Sequence, residues 1–183
     1  MRTRLTLQEF LDLPDDDTAL ELIDGQAVPK VSPKFLHATI QDALLQLIRA
    51  RCRGRGRVRA EWGVILKRGG VDWVPVPDLT YISYERLPRE WRRNEACPVA
   101  PEFVVEVVSP GQSLETFTTK ARDYFAAGIL HVWVVDPQPE ETITVYSADG
   151  TAQTYSTEVT IPEPPELNLS AEQVFLAAQQ LDQ

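Results

Sequence analysis

Apolar positions recur at helical spacing through Phe35, Ile40, Leu44, Leu47 and Ile48, which predicts a helix from about Pro33 to Arg51, broken by Gly54 and Gly56. Upstream, Thr6 with Glu9 three residues on has the form of a capping box, predicting a short helix from Leu7 to Leu13. Pro14 and the acidic run Asp15 to Asp17 are expected to end it in a solvated loop. Two apolar runs, Ala19–Ile23 and Gln26–Val31, flank Asp24-Gly25, a pair that tolerates the positive φ angles of a tight hairpin turn. Val58–Lys67 and Asp78–Tyr84 read as two strands separated by a turn rich in Gly and Pro, and Glu85–Pro101 reads as a polar loop.

The second half is more strongly patterned. Phe103–Val108, FVVEVV, is a nearly continuous apolar run of the kind found in strands covered on both faces. A helix follows over Leu114–Ala127 with Gly128 as its stop, then a second apolar strand, His131–Val135. Such a strand–helix–strand unit implies a parallel pair joined by a right-handed crossover. Ile143–Tyr146 and Gln153–Ser156 predict an antiparallel pair around Asp149-Gly150, and Ser170 with Gln173 caps a final helix over Ala171–Leu181. The fold class expected is α/β in one domain spanning 1–183. Its mixed central sheet is flanked by helices, preceded by the N-terminal helix and hairpin and followed by the C-terminal hairpin and helix.

Composition excludes some functions and leaves others open. No uncharged apolar stretch reaches the roughly 18 residues of a membrane span, and the N-terminus lacks a signal-peptide core, so a cytoplasmic protein is expected. Cys52 and Cys97 lie far apart and form no CxxC pair, which argues against structural zinc and a disulfide framework. The net charge of −9 disfavours a polyanionic partner, but six arginines fall between Arg49 and Arg59 and leave −15 on the rest of the chain. Were that segment extended, all six arginines, Arg53, Arg55 and Arg57 among them, would share one face and could track a phosphate backbone; the plainer reading is a solvated helix end and loop.

Three side chains sit awkwardly in this pattern. Glu106 lies mid-strand among apolar neighbours, where a carboxylate is costly to bury without a cation or donor; a strand-end acid, exposed or paired with an arginine, is the alternative. Asp78 follows Pro77 and alone would pass for a turn residue. Lys120 stands at the edge of the packed helix face marked by Leu114, Phe117, Ala121, Tyr124 and Phe125; it could snorkel to water or swing back toward Glu106. Two carboxylates from neighbouring strands can converge on a divalent cation with oxygen ligands, Mg²⁺ or Mn²⁺. Trp73 and Trp91 are core or rim residues that could also stack on a base, and Trp133 is expected in the core.

The chain resembles the Uma-two family of the PD-(D/E)xK nuclease superfamily. The resemblance rests on ELIDG (Glu21–Gly25), His37 in the helix after Ser32-Pro33, PDLTYI (Asp78–Ile82), PEFVVEVVSP (Pro101–Pro110), KARDYFAAGI (Lys120–Ile129) and VWVVDP (Val132–Pro137), in the family's order over about residues 5–146. It implies a restriction endonuclease-like core and a Mg²⁺- or Mn²⁺-dependent endonuclease acting on nucleic acid, with DNA the expected substrate and Asp78 and Glu106 as metal ligands. In the superfamily signature a lysine follows the second acid by two residues. Val108 stands there, and the resemblance points instead to Lys120 on the following helix. Glu21 matches a further family acid, an outer ligand or water-orienting group, and His37 matches without an assigned role. A homodimer is expected, because cutting two strands needs two sites. The alternative is a weakly active or inactive nuclease fold serving as a binding or regulatory module, which the acidic surface favours.

Overall fold

The computed structural model describes residues 4–14 and 18–181. The expected loop at Asp15 to Asp17 therefore lies outside the described residues. Helix α1 (Leu7–Leu11) starts at the anticipated capping box, with the Thr6 and Glu9 side chains each accepting from the other's backbone N–H. Strands β1 (Leu20–Ile23) and β2 (Gln26–Pro29) form an antiparallel hairpin whose turn residues, Asp24 and Gly25, have φ of +52° and +77°. Helix α2 (Phe35–Arg51) follows.

Six strands make the central sheet, in the order β10-β9-β8-β7-β6-β3. They are β3 (Gly56–Ala60), β6 (Leu79–Ser83), β7 (Phe103–Val107), β8 (His131–Asp136), β9 (Thr142–Tyr146) and β10 (Ala152–Tyr155). Only β7 and β8 run parallel; helix α3 (Leu114–Ala126) makes the crossover between them, and all other neighbours are antiparallel. Alternation sorts the side chains into two cores. Val58, Leu79, Tyr81, Phe103, Val105, Val107, Trp133 and Val135 pack under α2 and α4 (Ala171–Leu181), with the Phe103 and Trp133 rings edge to face at 5.1 Å. On the opposite face Ile82, Val104, Val132 and Val134 meet Phe117, Ala121 and Tyr124 of α3. Helix α4 begins where expected, because Ser170 and Gln173 complete a second reciprocal cap.

Two sequence expectations are corrected. Val58–Lys67 is not one strand. The chain leaves β3 at Glu61, whose φ is +50°, and re-forms as β4 (Leu66–Arg68), which turns through Gly69-Gly70 into an unexpected strand β5 (Val71–Trp73). Apolar alternation continues across the break, and the left-handed residue is a glutamate, so nothing in the pattern marks it. Reciprocal backbone hydrogen bonds between Leu22 and Val74 then join the β4–β5 hairpin to β1. Phe35, expected on the apolar face of α2, is 68% exposed in the first turn, and the buried face begins at His37.

Edge strand β3 lies so close to β6 that a Cβ at Gly56 would run into the Ile82 carbonyl oxygen and the Tyr81 ring. Gly56→Ala should therefore destabilise the fold by about 2 kcal/mol, read as a lower midpoint of urea unfolding with an unchanged slope.

Candidate active site

Every residue of β7 is buried, and Glu106 is among them at 4% exposure, so it is not an exposed strand-end acid. It shares its face with Val104, under α3. Among the described residues no arginine pairs with it. Its Oε1 accepts from the Tyr124 hydroxyl at 2.6 Å and lies 2.9 Å from the Lys120 ammonium. Lys120 and Tyr124 are four residues apart on α3 and so lie on one stripe above the strand. The same ammonium stands 3.3 Å from Glu21 Oε1, and that oxygen accepts from the Val76 N–H at 2.8 Å. The β1–β2 hairpin thus delivers Glu21 to the same point as α3 delivers Lys120.

Asp78 is 2% exposed and sits one residue before β6. Pairing between β6 and β7 ends at Leu79↔Val105, and one step further the same register sets Asp78 opposite Glu106. Past the end of the ladder the Val107 N–H donates to Asp78 Oδ2 at 2.6 Å. The other oxygen, Oδ1, receives the Lys30 ammonium at 2.7 Å. Lys30 is also 2.6 Å from Glu61 Oε2, and the Gln41 amide donates to both Glu61 Oε1 (2.8 Å) and the Asp78 carbonyl (2.9 Å). His37, one turn before Gln41 on α2, shares a hydrogen bond with Ser109 Oγ through Nδ1 at 3.0 Å. Its Nε2 approaches Asp78 Oδ1 to 3.2 Å without the alignment of a hydrogen bond and has no hydrogen-bond partner among the described residues.

The charge states follow from these contacts. Burial alone would raise the Asp78 pKa, but His37 and Lys30 outweigh it and hold the carboxyl below its ordinary value. Glu106 is pushed up, first by burial and then by Asp78, against the pull of Lys120 and Tyr124. Burial opposes the charge on Lys120 and Lys30, yet both stay above the ordinary lysine value: Glu106 and Glu21 hold the first, and Asp78 and Glu106 the second. Tyr124 is raised well above its ordinary value, by burial and by Glu106, and remains a donor.

Of the residues singled out in the sequence, Glu21, Asp78, Glu106 and Lys120 therefore come together, with His37 beside them. The arginines do not. Arg49 and Arg51 belong to α2, Gly54 turns the chain with φ +82°, and only Arg57 and Arg59 share a strand face, so the extended arginine row is not formed. Arg55 donates to the Arg51 carbonyl at 2.7 Å, and Arg57 to the Trp91 and Pro88 carbonyls at 2.7 and 2.8 Å. Arg53 is exposed. Trp73 is no base-stacking platform either: it is 2% exposed, with its ring 5.1 Å from that of Tyr124. Trp133 is fully buried, as expected.

Lys30, Gln41, Glu61, Ser109 and Tyr124 were not foreseen as site residues. For Gln41 and Tyr124 a signal exists, since each lies four residues beyond a residue already singled out, His37 and Lys120. Glu61 is aimed by a left-handed backbone that its own sequence does not encode. His37, Glu61 and Asp78 each offer a ligand atom, and these atoms lie within 4.8 Å of one another. A nitrogen and two carboxylate oxygens can hold Mn²⁺, which accepts an imidazole beside oxygen ligands, and the carboxylates alone suit Mg²⁺.

Comparison with known proteins agrees with this architecture. The chain is similar to a crystal structure described as a "putative nuclease belonging to DUF820" from Anabaena variabilis ATCC 29413, with a TM-score of 0.81 and 27% identity over 95% of this chain and 99% of that one. No curated protein matches the chain. The Uma2 family model, described as "Putative restriction endonuclease", matches residues 7–182, and the chain belongs to that family.

Proposed function

We propose that the protein is a divalent-metal-dependent endonuclease that hydrolyses phosphodiester bonds in nucleic acid, DNA before RNA. The observation that carries this reading is the buried pair Asp78 and Glu106, the first just before β6 and the second on the adjoining β7, with the Lys120 ammonium 2.9 Å from Glu106. A buried pair of like charges is costly, and its persistence beside a lysine fits a cation-binding, phosphate-cleaving site better than a structural one. Asp78 and Glu106 would hold a Mg²⁺ or Mn²⁺ ion, with His37 and Glu61 as further donors on the Asp78 side. The donor set fits such an ion, because His37 Nε2 is buried beside Asp78 with no other partner among the described residues. When bound, the ion supplies Lewis acidity toward a phosphate oxygen and lowers the pKa of a water.

The chain's own groups do the rest. Lys120 carries a fixed positive charge that stabilises the negative charge growing on the scissile phosphate. Glu21 and Glu106 hold that ammonium from two sides, and the Tyr124 hydroxyl fixes the Glu106 carboxylate. Ser109 orients His37 through Nδ1 and leaves Nε2 facing Asp78. In this reading the protein works in a reducing cytoplasm, where Cys52 and Cys97 stay free, and as a homodimer that brings two sites to two strands. No described helix is long and apolar enough to cross a membrane.

One observation favours the alternative of a non-catalytic module with this fold. Each central carboxylate is already matched by a lysine, Asp78 by Lys30 and Glu106 by Lys120, so the cluster has counter-charges of its own. Incubation with plasmid, single-stranded DNA and RNA in Mg²⁺ and in Mn²⁺ separates the two. Cleavage is expected, with Asp78→Asn and Lys120→Met each lowering its rate by at least about 100-fold in folded protein. Binding without cutting on every substrate would establish the module instead.

Two further outcomes follow from the charges. Substituting Arg53, Arg55 and Arg57 together by Gln should flatten the slope of log K against log salt for DNA binding by up to about 3, near one unit for each phosphate no longer neutralised. An unchanged slope removes this segment from the interface. Asp78 is held below its unfolded pKa of about 3.9, so its contribution to stability is complete above that pH and is lost as pH falls through the folded value. Asp78→Asn should cost about 3 kcal/mol at pH 7, and the gap from wild type should close below about pH 4 in chemical unfolding.

A further inference from the structure

We propose that Lys30 occupies the cation position of the His37–Glu61–Asp78 cluster, and that a divalent ion enters by displacing its ammonium, so that Lys30 sets the metal affinity of the site. The inference rests on the metal-dependent reading above and assigns a role to a residue outside the acid–lysine set already described. The Lys30 ammonium bridges two carboxylates of different elements, at 2.7 Å from Asp78 Oδ1 and 2.6 Å from Glu61 Oε2. Its side chain is only 12% exposed, so it is held in the cluster and not merely resting on it.

Three features make this the seat of a stronger cation. Lys30 answers two of the three donors, and the third, His37 Nε2, is buried at 5% exposure and faces Asp78 Oδ1 at 3.2 Å without the alignment of a hydrogen bond. An ammonium has only protons to offer and brings a single charge to two carboxylates; a divalent ion balances both and can also accept the imidazole lone pair. Glu61 is held at φ +50° by its N–H to the Asp78 carbonyl and by the Gln41 amide, a conformation disfavoured for glutamate that keeps its carboxylate turned into the cluster.

The two lysines differ in how they are tied. Lys120 projects from the middle of a packed helix, and Glu106 and Glu21 grip it from two sides. Lys30 follows the last residue of β2, Pro29, and its backbone is fixed by its N–H to the Ala19 carbonyl at 2.8 Å. Its four-carbon stem can therefore swing outward while the hairpin stays in place. Displacement exchanges two ammonium–carboxylate contacts for metal ligation and returns a strongly hydrated ion to water.

Calorimetric titration of the full-length protein with Mn²⁺, wild type against Lys30→Met, tests the displacement; binding at least tenfold tighter in the variant is expected. Wild-type protein is also subjected to reductive methylation with and without Mn²⁺, and the modified lysines are mapped by mass spectrometry. Lys30 should be protected without metal and modified with it, while Lys120 stays protected in both. This second measurement decides the matter even where Lys30→Met fails to fold. Unchanged or weaker binding in a folded variant, or a Lys30 that remains protected while Mn²⁺ binds, overturns the displacement and leaves the metal-dependent reading intact. Absence of Mn²⁺ binding in wild type and variant alike overturns both.

Discussion

The organisation of this protein depends on one electrostatic conflict, two buried carboxylates brought together where β6 begins beside β7. Asp78 and Glu106 are both nearly inaccessible to water, and each raises the energy of the other's charge. Repulsion between like charges at close range is worth several kcal/mol, even at an effective dielectric near 20. That is a sizeable share of the stability of a small domain. The surrounding elements meet it with cations and hydrogen-bond donors, and with a further acid, Glu21, that helps to hold one of the cations.

The contributions come from elements spread along the chain between Glu21 and Tyr124. The N-terminal hairpin supplies Glu21 and, just past its second strand, Lys30; α2 supplies His37 and Gln41; α3 supplies Lys120 and Tyr124; and the backbone of β7 gives the Val107 N–H to Asp78. The hairpin is small and packs only a minor core of Phe10, Leu22 and Val74. Its attachment to β5 through Leu22 and Val74 matters because that contact carries Glu21 and Lys30 into register with the sheet. The unexpected β4–β5 hairpin thus serves the site, by giving the N-terminal hairpin something to pair with.

Much of this was legible in the sequence, and the part that was not has a physical reason. FVVEVV announces a buried strand with one misplaced charge, and the helix after it has a clear N-cap and a glycine stop, so the parallel β7–α3–β8 unit and the meeting of Glu106 with Lys120 could be anticipated. Asp24-Gly25 and the Ser170 cap are local signals that the fold obeys. Glu61 and Lys30 are different. Their roles arise from a turn held by tertiary hydrogen bonds and from a side chain reaching across 48 residues to Asp78, and neither leaves a periodicity to read. The backbone of the arginine segment was not legible for a related reason. Alternation of Arg with small residues has the same appearance whether the backbone is helix end, turn or strand, and here it passes through all three.

The position of the lysine has consequences for how activity and stability are linked. A lysine two residues beyond Glu106 would be fixed by the strand itself, but Val108 stands there and its side chain packs against the core beneath α3. With the ammonium carried by α3 instead, its distance from Glu106 depends on how the helix docks, through Phe117, Ala121 and Tyr124, onto Val104, Val132 and Val134. Tyr124 joins the two roles in one residue: its ring is fully buried against Trp73 and its hydroxyl holds Glu106. A cavity along that interface would remove packing that positions Lys120 relative to the acids. The α3–sheet interface is therefore part of the catalytic geometry in the proposed mechanism; on the other face α2 adds His37 and Gln41 to it, while α4 supports the sheet.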